Sequence, residues 1–217
     1  MSLTVFKEIT YNDNKLLRQS LDIYLNYFPP QEIRPLEKTI SMIQKDNNYH
    51  IIVALQDEKV IGFSLLYLFP SLKFGILDYM AVINKFQEKG IGTRLFNFTF
   101  KIFCSKISDG IGLLMEIQKD NVKDSKENKI RKRRIKFYKN LGCKFINGIN
   151  YLLPSQIREN PEEMYLMIKL IKNINSLSRD DVSKFVTAIY SNIYFCKSDD
   201  LIDKVFYKSP DPMPIQD

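Results

Sequence analysis

One histidine in 217 residues leaves little room for imidazole chemistry. His50 leads into an apolar run, with no cysteine or second histidine at ligand spacing, which argues against a zinc site and gives a histidine-dependent triad one candidate. A structural or surface role is therefore expected for it, and no metal site. The three cysteines, Cys104, Cys143 and Cys196, are widely separated and form no CxxC pair, so they are expected reduced, as small hydrophobes. The longest apolar stretches, such as Val60 to Pro70, contain Gly, Ser or Tyr and fall well short of the roughly 20 residues needed to span a bilayer. Met1 to Glu8 has no basic region followed by an apolar run and a cleavage site, and points to a cytoplasmic protein. Internal repeats and low-complexity tracts are also missing.

What is present fits one well-packed domain with an appendage: 45% of residues are hydrophobic and 26% charged. The charge is uneven. Lys119 to Lys144 holds eleven Lys or Arg against three acids, a net of +8, while the whole chain carries +7. One segment is basic, not the protein at large.

Leu3 to Ile9 alternates apolar and polar side chains as a half-buried strand does. Leu16, Leu17, Leu21, Tyr24, Leu25 and Phe28 then recur at helical spacing and stop at Pro29-Pro30. A short helix is expected from Pro35 through Ile43. Three strands follow, Tyr49 to Leu55, Lys59 to Phe69 and Lys73 to Ile83, the first two joined by a polar hairpin at Gln56-Asp57-Glu58. A helix from Gly92 to about Lys106 and a buried strand from Gly110 to Gln118 come next. Asn128 to Asn140 reads as a basic helix ended by Gly142, and Lys144 to Ile149 and Glu162 to Ile168 as closing strands. After about Leu170, Ser178 opens an amphipathic helix carrying Val182, Phe185, Val186, Ile189, Tyr190 and Ile193. A second short helix, Asp199 to Phe206, precedes an extended tail with Pro210, Pro212 and Pro214.

The segment with the clearest chemistry is Gln87-Glu88-Lys89-Gly90-Ile91-Gly92, between a predicted strand and a predicted helix. Such a turn directs backbone N–H groups and the positive end of the helix dipole to one point, a geometry that binds pyrophosphate. Gly90 and Gly92 would allow close approach of an anion, and Thr93 adds a hydroxyl in the first helical turn. The pattern is neither GxGxxG nor a P-loop, and by itself two glycines one residue apart are also compatible with a plain tight turn.

A longer stretch narrows the reading. Met80-Ala81-Val82, a short link, Gln87-x-x-Gly90-x-Gly92 and a helix beginning Thr93-Arg94-Leu95 resemble the acyl-CoA signature of the GNAT (Gcn5-related N-acetyltransferase) superfamily. Phe137 to Cys143 is similar to that family's tyrosine, three residues, glycine, aromatic element, with Cys143 where phenylalanine is usual. Leu114 to Ile117 resembles its fifth strand. The resemblance implies an α/β (α+β) acyl-CoA N-acyltransferase fold, with a mixed central sheet of about six to seven strands flanked by helices. The expected division is residues 1–170 for this domain and 171–217 for a helical C-terminal extension, packed on the domain or at a dimer interface.

The implied activity moves an acetyl or other acyl group from acyl-CoA to a primary amine by direct attack in a ternary complex. Acetyl-CoA, or a longer acyl-CoA, is the implied co-substrate. Met80, Ala81 and Val82 would hold the pantetheine arm, and Gln87, Glu88, Lys89, Gly90, Ile91, Gly92 and Thr93 the pyrophosphate. Tyr138 matches the family's acid for the departing thiolate, with core packing beside Phe137 as its plain alternative. Glu116 stands where some members carry a base, Asp78 is its rival, and strand spacing alone does not choose between them. Arg131 and Arg134 replace the asparagine and alanine usual before the tyrosine.

The implied acceptor is a small-molecule or peptide amine, its specificity set by the region around Asn12 to Gln44. Two other readings compete: a nucleic-acid-binding protein using the basic helix, although no helix-turn-helix, RNA-recognition or zinc-finger pattern accompanies it, and a CoA-binding sensor without catalysis. The apolar stripe after Leu170 must be buried on its own domain or in a homodimer.

Overall fold

The computed structural model describes residues 3–154 and 161–217. The start of the chain at Met1 and Ser2, part of the localisation argument, lies outside the described residues. The chain divides into two compact units, residues 1–70 with 75–109 and residues 71–74 with 110–217.

In the first unit β1 (Val5–Ile9), α1 (Asn14–Tyr27), α2 (Leu36–Lys45), β2 (Tyr49–Gln56), β3 (Lys59–Phe69), most of β4 (Phe74–Val82) and α3 (Ile91–Lys106) follow in order. β1 and β2 pair antiparallel with Val5 opposite Leu55 and Ile9 opposite Ile51. β2 and β3 form the expected hairpin. Its two-residue loop places both Asp57 and Glu58 at positive φ, the form that matches the twist of the flanking strands. The inward faces of β2 and β3 meet α3, where Ile52, Leu66, Leu95, Phe96 and Phe103 are fully buried. The Ser64 and Thr99 hydroxyls satisfy each other there at 2.6 Å. Gly62 on β3 permits a close approach: a Cβ would lie 2.9 Å from the Ala81 carbonyl oxygen, so any larger residue would push β4 away.

The second unit contains β5 (Gly112–Gln118), α4 (Ser125–Asn140), β6 (Lys144–Ile146), β7 (Leu152–Leu153), β8 (Glu162–Leu170), β9 (Ser176–Leu177), α5 (Arg179–Ile189), α6 (Asp199–Val205) and β10 (Met213–Gln216). Its strands run β5-β8-β6-β10-β9, with β7 beside β8. The fold class is the expected α/β, strands flanked by helices. Ten strands stand among the described residues where six to seven were expected, the additions being the short β7, β9 and β10. The tail is not free: Ile215 pairs with Ile146 and Met213 with Leu177.

α4 begins earlier than its apolar pattern suggests, because the Asp124 side chain caps it by accepting from the Glu127 N–H at 2.6 Å. It ends as expected at Gly142, whose φ of +75° lets the chain turn back, with the Cys143 N–H bonded to the Tyr138 carbonyl at 3.0 Å. Residues beyond 170 pack within this unit: Phe185 of α5 meets Phe74 at 4.3 Å, and the Asn150 N–H bonds the Val205 carbonyl. Among the described residues no helix is long and apolar enough to cross a membrane.

Candidate active site

β4 ends at Val82, the chain makes a short turn over Asn84–Phe86, and α3 starts at Ile91. Between them Glu88 and Gly90 both take positive φ, +62° and +72°. A Cβ on Gly90 would meet no atom within 4 Å, so it is the left-handed backbone and not packing that favours glycine here. Gln87 braces the turn, its Nε2 donating to the Val82 carbonyl at 2.9 Å and to Asn84 Oδ1 at 3.1 Å. The first intrahelical bond is that of the Arg94 N–H to the Gly90 carbonyl, 3.1 Å, so the N–H groups of Ile91, Gly92 and Thr93 precede the helical ladder. Two left-handed residues on either side of Lys89, followed by a helix N-terminus, present backbone donors suited to an anion. Lys85 and Lys89 lie over the Phe86 ring, 5.1 and 5.4 Å from its centre, and add positive charge to the same turn. Met80 and Ala81 are half-buried and Val82 is buried at the end of β4.

Asp78, two residues before Met80, is held differently from a freely accessible carboxylate. Arg34 donates from NH1 to Oδ1 at 3.0 Å and from NH2 to Oδ2, and the Asp78 side chain is 2% exposed. The guanidinium lies 5.0 Å from the centre of the Tyr79 ring. The segment carrying Arg34 is fixed by tyrosines: Tyr79 donates to the Glu32 carbonyl and Tyr24 to the Arg34 carbonyl, each at 3.0 Å. Beside the pair, Arg34 Nε and the Tyr49 hydroxyl are buried with no hydrogen-bond partner among the described residues. Burial raises the Tyr49 phenol above its ordinary range, and the Asp78 carboxylate adds to that while Arg34 opposes it.

In the second unit Glu116 of β5 takes hydrogen bonds on both oxygens. Tyr151 donates to Oε1, and Tyr194, from the C-terminal segment, donates to Oε2 at 2.5 Å. Burial and the neighbouring carboxylate hold the Tyr151 phenol well above its usual range. Tyr190 packs against Tyr151, ring centres 5.9 Å apart, and donates to the Leu152 carbonyl. Of the two carboxylates singled out from the sequence, Asp78 pairs with the Arg34 guanidinium, and Glu116 accepts from the Tyr151 and Tyr194 hydroxyls.

Tyr138 lies on the buried face of α4 with Phe137 at 5.1 Å, edge to face. Burial raises its phenol above 10, opposed by the nearby Arg134 cation and reinforced by the Cys143 thiol. A phenol so placed keeps its proton at neutral pH. Cys143, fully buried beneath it, has its own thiol pushed up to about 12 by burial. Arg131 and Arg134 have structural partners: Arg131 donates from Nε to Glu127 at 3.0 Å and from NH1 to the Lys119 carbonyl at 3.0 Å, and Arg134 donates to Gln118 Oε1 at 2.9 Å. They tie α4 to the end of β5. Lys129, Lys132, Arg133, Lys136 and Lys139 are exposed.

Arg34, Tyr49, Tyr151 and Tyr194 did not stand out in the sequence. Arg34 alone had a local signal, lying between Pro29-Pro30 and Pro35 in a segment that cannot be helical throughout. His50 has the structural role expected of it, with Nδ1 2.6 Å from Glu8 Oε1, and Lys106 lies 3.2 Å from the same oxygen. No cluster of His, Cys, Asp or Glu suited to a metal occurs among the described residues.

Residues 47–143 match the acetyltransferase (GNAT) domain. No curated protein matches the sequence. Among solved structures, a protein from Bacteroides thetaiotaomicron described as a GNAT-family acetyltransferase superposes with a TM-score of 0.70, at 22% identity over 89% of this chain and 99% of its own. Arabidopsis thaliana NAA60 in complex with acetyl-CoA gives a TM-score of 0.57, at 18% identity over 79% and 100%. An aminoglycoside 6'-N-acetyltransferase complexed with coenzyme A gives 0.58, at 20% identity over 78% and 98%. At these identities the likeness is one of fold.

Proposed function

Starting from a chain that carries the acetyltransferase (GNAT) domain over residues 47–143, we propose that it is an N-acyltransferase moving an acetyl group from acetyl-CoA to a primary amine by direct attack in a ternary complex. The observation that carries the reading is the turn from Gln87 to Thr93, with two left-handed residues, two adjacent lysines and the free N–H groups of α3. In this proposal Gln87, Glu88, Lys89, Gly90, Ile91, Gly92 and Thr93 hold the pyrophosphate of CoA, and the backbone of Met80, Ala81 and Val82 holds the pantetheine arm. Two of the superposed structures contain acetyl-CoA or CoA, which supports the choice of donor.

Acyl transfer requires the neutral amine nitrogen to bond to the thioester carbon, the carbon–sulfur bond to break, and one proton to leave the nitrogen while another meets the sulfur. We assign the proton donor for the thiolate to Tyr138, which burial keeps protonated. The proton acceptor is assigned to Glu116, directly or through a water. Asp78 is assigned a structural part, because its Arg34 partner already compensates its charge. Glu116 accepts hydrogen bonds from the Tyr151 and Tyr194 hydroxyls, which orient its carboxylate.

The acceptor is proposed to be a small-molecule or peptide amine bearing a hydrogen-bond acceptor, since Arg34 Nε and the Tyr49 hydroxyl are the buried polar atoms that such a group would satisfy. A cytoplasmic protein without a metal cofactor completes the reading. The nucleic-acid alternative is weakened by Arg131 and Arg134, whose guanidinium groups bond to their own unit. The test is thiol release from acetyl-CoA over a panel of small amines and peptide N-termini, with a longer acyl-CoA in parallel. Amine-dependent release supports the reading. Release by water alone, or none with any amine, overturns it.

A further inference from the structure

α4 carries its charge on one face. Arg131, Ile135 and Tyr138 are its buried residues, while Lys126, Lys129, Lys132, Arg133, Lys136 and Lys139 are exposed. At 3.6 residues per turn those cations fall within an arc of about 140°, on the side away from the buried three. Lys126 and Lys129, Lys129 and Lys132, Lys132 and Lys136, and Lys136 and Lys139 are each three or four positions apart. Like charges at that spacing repel and destabilise a helix. The unit itself does not offset this for the lysines: Glu127 and Glu162 pair with Arg131, and none of the five lysines has an acidic partner among the described residues. An anionic partner from outside the chain would relieve the repulsion.

The basic stripe continues onto the sheet. Lys139 lies 5.9 Å from the centre of the Phe145 ring on β6, Phe145 meets Tyr165 of β8 edge to face at 4.9 Å, and Lys119 lies 5.9 Å from the centre of the Tyr165 ring. Both rings are half-buried, so part of each stays open to solvent. The acids at this end are engaged, Glu163 by Lys119 at 2.7 Å and Asp120 by the Tyr165 hydroxyl at 3.4 Å. A row of cations leading to an accessible aromatic pair matches a strand of phosphates with unpaired bases, which needs charge along its backbone and a ring for a base to stack on. An anionic bilayer fits less well. An interfacial helix buries an apolar face in lipid, and Ile135 and Tyr138 of α4 are already buried in the fold.

We propose that the exposed face of α4 from Lys126 to Lys139, continued by Phe145 and Tyr165, is a docking surface for single-stranded nucleic acid, with lysines on the phosphates and a base on the aromatic pair. The surface stands beside acyl transfer and does not replace it. Arg131 and Arg134 tie α4 to its own unit, and the lysines lie on a different face. From Lys126 to Lys139 the helix rises about 20 Å, enough to follow a few nucleotides.

The test is fluorescence anisotropy of the full chain with labelled oligo-U and oligo-dT of about 12 nucleotides, beside a duplex of equal length, in about 50 to 200 mM salt. Saturable binding of a single strand is expected, and the ratio between oligo-U and oligo-dT says whether the natural strand is RNA or DNA. Lys129→Gln with Lys132→Gln and Lys136→Gln is expected to weaken binding about tenfold or more and to lower the slope of log K against log salt by about 2. This variant should melt no lower than wild type, because it removes like charges, and should keep any acetyl-CoA turnover of the wild type. Phe145→Leu keeps an apolar side chain and is expected to weaken binding about fivefold or more with the salt slope unchanged. Should its melt show lost folding, Tyr165→Leu takes its place. Excess CoA should displace none of the probe. The proposal is overturned by no binding at the lowest salt, by equal binding of wild type and the triple lysine variant, or by unchanged affinity in the folded aromatic variant. Displacement by CoA overturns it as well, since binding would then belong to the turn at Gln87 to Thr93, and so does tighter binding to the duplex or to phosphatidylserine vesicles than to either single strand.

Discussion

Arg34 and Asp78 stand 44 positions apart in sequence and meet through both ends of the guanidinium and both oxygens of the carboxylate, with side chains 9% and 2% exposed. A pair so far from water is costly to break from one side, since the remaining charge has no substitute partner. Asp78→Asn is expected to destabilise the protein by about 3–5 kcal/mol, whereas Arg34→Met with Asp78→Leu together should recover most of that loss. Urea denaturation of the three proteins checks it. A loss below about 1 kcal/mol for Asp78→Asn, the value of a surface pair, would show that the two side chains are solvated.

Gly90 separates backbone strain from packing. An alanine there meets no atom within 4 Å but must hold a φ near +72°. Gly90→Ala is expected to cost about 1–2 kcal/mol in stability from the left-handed backbone, together with a weaker hold on acetyl-CoA as the donor array shifts. Thermal denaturation with and without acetyl-CoA reads both effects, the second as a smaller ligand-induced rise in Tm than in wild type.

Tyr138→Phe removes one oxygen from a buried ring and leaves its packing against Phe137 in place. Turnover is expected to fall about 10²-fold or more, with acetyl-CoA affinity unchanged. Near-normal turnover would remove the acid role and leave Tyr138 as core.

His50 supplies the pH dependence near neutrality, because it is the one histidine in the chain. Burial lowers its folded pKa below 6.5, with the Glu8 hydrogen bond opposing and Lys106 assisting. A group depressed on folding contributes stability above its unfolded value and loses it as pH falls. Stability is therefore expected to decline as pH drops from about 7 through 6.5 and below, and His50→Gln should flatten that slope. Denaturant midpoints at pH 7.5, 6.5 and 5.5 for both proteins measure it; equal slopes would contradict the assignment.

The turn at Gln87 to Gly92 was legible because its signal is local: two glycines, a strand before and an apolar helix after. The hairpin at Asp57-Glu58 and the cap at Ser178, whose Oγ accepts from the Asp181 N–H at 3.0 Å, are legible for the same reason. What surrounds the carboxylates was not. Glu116 is bonded by tyrosines 35 and 78 residues away and Asp78 by an arginine 44 residues away, pairings that only tertiary placement decides. Spacing along a strand shows that Asp78 and Glu116 have faces, not what stands opposite them. The tail was legible as extended but not as a paired strand, because Met213–Gln216 is too short and too proline-interrupted to alternate visibly, yet it pairs with β6 and β9. Arg131 and Arg134 stood out in the sequence only as replacements on a basic helix, and the structure supplies the Lys119 carbonyl and Gln118 that engage them.

The central claim is that the turn from Gln87 to Thr93 is an acyl-CoA site, and calorimetric titration of the full chain with acetyl-CoA tests it most directly. One site per chain is predicted, competed by CoA and weakened in Gly90→Ala. No saturable binding of either acetyl-CoA or CoA to the folded protein would contradict the account at its base.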